Sequence, residues 1–272
     1  MAPTIIMLFL FGTIIGSFLN VVIYRHNTGK GLGGHSHCTS CGTRLSSYEL
    51  IPLLSYLAQY GRCRSCSARI TPQYFLVELT TGAAFALSLL VATDLVSLVL
   101  TLAVFSVLIV IVVYDLHHLI IPDVFVVALV VLALAYLSWN PLLGTLHLPP
   151  PSALLGGLGA ALFFASFWFF SKGRWMGLGD AKLAFPLGCI VGYPAVLSFV
   201  VFSFWIGAVV TLLLLGLQHL FKRGQKWLRF PYTTLRMKSE VPFAPFLVAA
   251  FFAVYLFSAD VFEVSELILS FL

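Results

Sequence analysis

Charge is what this sequence has least of. Only 9% of its 272 residues are Asp, Glu, Lys or Arg, where a soluble globular domain carries roughly a quarter. So few charges cannot cover a water-soluble fold, and with 60% of the residues hydrophobic the bilayer must act as solvent. Strand-like alternation of polar and apolar residues is missing too, which argues against a membrane barrel. Long apolar runs stand in its place, and backbone groups in lipid are then paired within helices. The N-terminus lacks the basic segment and small-residue cleavage site of a secretory signal. The stretch from Thr4 to Tyr24 therefore reads as a retained span of about 20 residues.

Apolar runs cover 4–24, 73–92, 95–114, 123–139, 152–170, 181–192, 195–221 and 242–259. Successive crossings sort the connections onto two faces, and all fifteen Lys and Arg fall on one of them. Basic residues favour the cytoplasmic side. The expectation is an all-α polytopic membrane protein with about eight transmembrane helices and the N-terminus outside. The sixth run is the exception: twelve residues span about 18 Å, short of a ~30 Å hydrocarbon core, and interrupted spans are places where sites are built. Topology accounts for the basic balance, and the aromatics lie in the spans, so membrane lipids are the expected partners and nucleic acid is not.

Cysteine is sparse but organised. Cys38 and Cys41 form one C-x-x-C and Cys63 and Cys66 a second, 21 residues on. Two such turns suit one tetrahedral zinc ion, and the cytoplasmic face disfavours disulfides; reduced thiols or a redox pair are the alternatives. Four thiolates leave no open coordination position, so the zinc is expected to be structural. It would staple a module of about residues 30–70 that is too small for a core of its own. Cys189 reads as packing, and His35 and His37 as surface residues. Gly29 to Gly34 matches G-x-G-x-x-G without the flanking strand and helix that a dinucleotide site needs, and reads as a linker.

Ten acidic residues occur, and four of them, Glu78, Asp115, Asp123 and Asp180, fall at or inside span boundaries, where an ionisable group marks function by default. Asp115 ends the third run and Asp180 follows Gly177-Leu178-Gly179 at the start of the sixth, so both are expected at one face and depth. Two carboxylates brought together share a proton, which is the arrangement that activates water and protonates a leaving amine. The glycines allow close approach of an extended peptide. Asp123, after Pro122, reads as a helix cap, and Glu78 as the buried partner of an Arg or another polar group. His117 and His118 read as interfacial.

In this order and spacing the residues resemble the type IV prepilin peptidases, membrane aspartic proteases of the GxGD type. Gly16 to Arg25, the doubled C-x-x-C, Tyr74 to Gly82, Asp115 to Asp123, Gly177 to Lys182 and Val241 to Leu247 each resemble a block of that family, although Ala244 stands where Gly is common. The resemblance implies a catalytic pair, Asp115 and Asp180, supported by Gly177, Gly179, Glu78, Asp123 and Lys182. It also implies a zinc module at 25–72 between a first helix at 1–24 and a peptidase core at 73–272. The expected activity is cleavage of prepilin and pseudopilin leaders at the cytoplasmic face of the bacterial inner membrane. N-methylation of the new terminus with S-adenosylmethionine would follow, at a donor site the sequence does not place. Presenilin-type proteases lack the cysteine module, and a proton-coupled transporter would carry its acids near mid-membrane within an internal repeat.

Overall fold

The computed structural model describes residues 2–28, 31, 33–221 and 241–262. The basic loop 222–240, the tail acids Glu263 and Glu266, and Gly29, Lys30 and Leu32 of the glycine-rich linker lie outside the described residues. Nine α-helices are described: α1 Ala2–Arg25, α2 Leu54–Ala58, α3 Gln73–Leu87, α4 Leu95–His118, α5 Asp123–Ser138, α6 Pro151–Ser171, α7 Leu178–Val191, α8 Val196–Phe221 and α9 Ala244–Phe257. All but α2 coincide with the apolar runs of the sequence. Among the described residues, five stretches are long and apolar enough to cross a membrane, namely α1, Gln73–Leu90, α4, α6 and Tyr193–Leu217, while α5 and α9 are shorter apolar helices. The protein is thus a multi-pass helical membrane protein. The short sixth run is α7, a 14-residue helix with Pro186 inside it.

The chain divides into two compact units. One comprises residues 1–114 and 127–148, the other residues 115–126 and 149–272. In the first, α1 packs on α3 through small residues. A side chain at Gly12 would come within 2.8 Å of the Gly82 backbone, and one at Gly16 within 2.8 Å of the Glu78 backbone. This is the small-xxx-small device by which membrane helices approach closely without a hydrophobic drive. Asp94 starts α4 by accepting from the Val96 and Ser97 amides, and it also receives the Trp139 indole N–H at 2.9 Å. Trp139–Asn140 and Thr145–Leu146 pair as a short antiparallel hairpin (β1 and β2).

In the second unit α6 packs on α7 by the same device, with the Gly188 position lying against Ala160 and Gly157. Aromatic rings tie the remaining helices. Phe164 of α6 stacks on Phe204 of α8 with centroids 5.8 Å apart, and Phe243, just before α9, lies 5.5 Å from Phe204. Phe164 is fully buried. The residue preceding α9 makes no capping bond with its own side chain, and the packed cluster holds the entry into the helix.

Candidate active site and metal site

Asp115 sits in the last turn of α4 and Asp180 in the first turn of α7, and both are buried, at 4% and 7% exposure. Both belong to the second unit, and their carboxylates lie within coulombic range of each other. Chain geometry explains each position. α4 stops at Leu119, which takes positive φ after its amide closes the last turn on the Asp115 carbonyl. α7 starts at Gly177, extended at φ −75° and ψ 151°. The Asp115 carboxylate has a further partner, the Ala244 amide, which donates to Oδ2 at 3.2 Å. Ala244 is the first residue of α9, so this is one of the free amides at a helix N-terminus, where negative charge is favoured.

The supporting residues fall into two places. Gly179 faces Ile121, and an added Cβ would lie 3.2 Å from that side chain, while one at Gly177 would lie 3.6 Å from Asp180 Oδ2. Lys182 donates to Asp123 Oδ1 at 2.8 Å; the two side chains are 44% and 70% exposed. Asp123 opens α5, as a cap would, but its recorded partner comes from α7. Glu78 lies in the first unit, on α3, buried at 8% exposure. Its Oε2 accepts the Leu53 amide at 2.8 Å, and the Ser17 hydroxyl is a second partner, so of the two expected kinds of partner it is polar groups and not an arginine that meet it.

The four module cysteines converge. All four Sγ atoms lie within 4.8 Å of one another, and Cys38 and Cys66 are 3.9 Å apart. Tetrahedral thiolate ligands at ~2.3 Å from a metal sit ~3.8 Å from one another, so the cluster fits a tetrahedral ion. The two knuckles repeat one design. In each, the first cysteine's amide donates to the carbonyl five residues on (Cys38 to Thr43, Cys63 to Ala68), and its carbonyl accepts from Gly42 or Ser67. Bridges His37 to Arg44 and Arg62 to Arg69 close the two hairpins. Hydrogen bonding to the Thr43 side chain and amide holds the Cys41 thiol down at about 6. The Ala68 amide favours the Cys66 thiolate, yet its neighbour Cys41, burial and the other cysteines outweigh that and push it up to about 11. Four thiolates crowded together call for a cation.

Membrane helices, two buried neighbouring acids and a four-thiol cluster define a polytopic helical membrane protein. The bacterial peptidase A24 N-terminal domain model matches residues 10–92, and the type IV leader peptidase family model matches residues 102–212. Prepilin leader peptidase/N-methyltransferases are similar over most of the chain. That of Vibrio cholerae is 30% identical over 89% of this chain and 92% of its own length. That of Bacillus subtilis is 30% identical over 93% and 94%, and that of Myxococcus xanthus 36% identical over 77% of this chain and 63% of its own length. No solved structure matches the chain. The chain belongs to the type IV leader peptidase family and is an enzyme.

Neither the Ala244 amide nor the buried Asn20 amide was singled out from the sequence, although both lie in blocks that the sequence marks. A backbone N–H carries no residue signature. Asn20 gains meaning only from its surroundings.

Proposed function

We propose that the protein is a prepilin peptidase of the bacterial inner membrane, and that Asp115 and Asp180 are its catalytic pair. One observation carries this reading: two acids 65 residues apart in sequence are buried at helix ends within electrostatic reach of each other. Like charges so placed do not both ionise, so one acid holds a proton while the other is a base. The Ala244 amide favours charge on Asp115, which makes Asp115 the base and Asp180 the acid. The base removes a proton from water as its oxygen attacks the scissile carbonyl. The acid protonates the carbonyl oxygen; as the tetrahedral diol collapses, the proton taken from water passes from Asp115 to the leaving amine and a diol hydroxyl returns a proton to Asp180. Gly177 and Gly179 keep the backbone beside Asp180 free of side chains, Asp123 and Lys182 hold α5 and α7 in register, and Glu78 anchors the loop at Leu53.

The substrates are prepilins or pseudopilins, cut at the cytoplasmic face, with eight crossings and the N-terminus outside. The division into a first helix at 1–24, a module at 25–72 and a peptidase core at 73–272 belongs to the same reading. Cys38, Cys41, Cys63 and Cys66 hold a structural zinc, which when bound supplies the module's folding energy. The relatives are named as N-methyltransferases as well, which supports a second activity, N-methylation of the new terminus from S-adenosylmethionine. The test is cleavage of a membrane-embedded prepilin by the wild type, Asp115→Asn and Asp180→Asn at matched membrane levels. Each variant should be inactive. Wild-type cleavage by either one removes that residue from the pair.

A further inference from the structure

Between the two cysteine knuckles, helical hydrogen bonds extend α2 at both ends, from the Ile51 carbonyl to the Tyr60 amide. This stretch packs on the start of α3 and turns apolar side chains outward. We propose that it seats the cysteine module in the surface of a phospholipid leaflet, with Arg62 and Arg69 beside it holding an anionic headgroup.

Contacts with α3 fix the depth. The Leu53 amide donates to Glu78 Oε2 at 2.8 Å, and the Tyr56 ring lies 5.4 Å from that of Phe75. Both partners belong to Gln73–Leu90, a stretch able to cross a membrane. At 1.5 Å per residue, positions 75–78 lie about 3–8 Å along it from Gln73. A helix lying in a leaflet sinks its apolar face about 5–10 Å into the headgroup and acyl boundary, so α2 stands at that level. Tyr56 turns toward α3, whereas Ile51, Leu54, Leu57 and Tyr60 are exposed, Tyr60 at 90%. These four recur every third residue, and residues three apart on a helix are neighbours. Exposed apolar groups gathered in this way mark a contact surface. Leucines ending in a tyrosine suit the boundary between lipid and water.

Charge points the same way. Glu49 is the only acid among residues 25–72, against six Lys and Arg. Its carboxylate is taken up by the Ser46 amide and hydroxyl at 2.9 and 2.6 Å. The arginine it faces is Arg64, whose guanidinium lies over the Tyr48 ring, 4.9 Å from the centroid. Arg62 and Arg69 stand opposite each other in an antiparallel bridge and are both exposed, so their side chains leave one face. Neither has an ion pair among the described residues. Like charges in that position repel. A phosphate accepting from both removes the repulsion and matches the guanidinium fork. A phospholipid leaflet supplies that phosphate and an acyl phase for the leucines together; a soluble anion supplies only the first.

The experiment uses the full-length, zinc-loaded protein in nanodiscs of mixed phosphatidylcholine and phosphatidylglycerol. One photoreactive lipid carries its probe at the top of an acyl chain, and a phosphatidylglycerol and a phosphatidylcholine carry it on the headgroup. Labelled peptides are mapped by mass spectrometry. The acyl probe should label residues 51–60 as it labels the exposed side of α1 at Phe11 and Ile14. The phosphatidylglycerol probe should label 61–70 about fivefold or more above the phosphatidylcholine probe. Leu54→Ser with Leu57→Ser should lower the acyl labelling of 51–60 several-fold, and Arg62→Gln with Arg69→Gln should remove the headgroup preference, both with zinc content unchanged. A variant that loses zinc is set aside, and the wild-type map then decides. Acyl labelling of α1 without labelling of 51–60 overturns the proposal. So does protection of 51–60 that appears only when prepilin is added, which would make this face a substrate surface. Equal labelling by the two headgroup probes overturns the arginine site.

Discussion

The Ala244 amide donates to Asp115 Oδ2 at 3.2 Å across 129 residues of sequence, so the start of α9 is part of the setting of the α4 acid. Hydrogen bonds to charged groups are worth about 1.5–3 kcal/mol, or about tenfold to a hundredfold in rate if the bond persists to the transition state. Ala244→Gly keeps the N–H and should cleave prepilin within about threefold of wild type. Ala244→Pro suits the first position of a helix but deletes the N–H, and should lower kcat by about tenfold or more. Thermal unfolding of both variants separates this effect from strain at Phe243, which is helical before the new proline and so disfavoured there. Equal rates for the two variants would show that the amide does not assist Asp115.

The Lys182–Asp123 pair is more than a third exposed on both sides, and pairs of this kind contribute about 0–1 kcal/mol. Lys182→Gln and Asp123→Asn should therefore lower stability by less than about 1 kcal/mol, and the difference from wild type should shrink as salt rises. Unfolding followed at two ionic strengths checks this. A larger, salt-independent loss would mean that Asp123 acts mainly through α5.

Close helix approach makes a contrast among glycines. Gly16→Val places a side chain against the α3 backbone, whereas the Gly159 position opens on free space. Overpacking costs about 1–3 kcal/mol, so Gly16→Val should destabilise the protein by that amount, and Gly159→Val should be close to neutral. Urea or thermal melts in one detergent give the comparison.

The two knuckles place different residues at their left-handed position. Gly42 takes φ +72° in the first, and Ser67 takes φ +57° in the second. A non-glycine residue there costs about 1–2 kcal/mol. Ser67→Gly should make the module hold its metal more tightly under chelator challenge, and Ser67→Val should weaken it.

Cys38→Ser and Cys63→Ser should each lose zinc, with expression and methylation falling before cleavage does. Acid should act in the same direction. The ligand is the thiolate, so protons compete with the metal for all four sulfurs and zinc retention should fall as the pH drops. Zinc content measured from pH 8 to pH 5 on the intact protein tests it. Retention under chelator challenge that does not change across that range would count against thiolate ligation.

Much of this protein follows from sequence because its strongest constraints are local. Apolar run length and the one-sided placement of Lys and Arg reflect the physics of a single helix in lipid, so the positions of all the apolar helices were legible. Cysteine spacing likewise belongs to short turns, and the four sulfurs do converge. Tertiary structure decided what no local pattern encodes. It paired Asp123 with Lys182 over 59 residues and gave Glu78 the Leu53 amide and the Ser17 hydroxyl as its polar partners. It aimed the α9 N-terminus at Asp115 because Phe243 is packed on Phe164 and Phe204. It also left the buried Asn20 Oδ1 without a hydrogen-bond partner. Backbone amides and orphaned acceptors have no residue signature; they acquire roles only when packing brings distant segments to within hydrogen-bond distance.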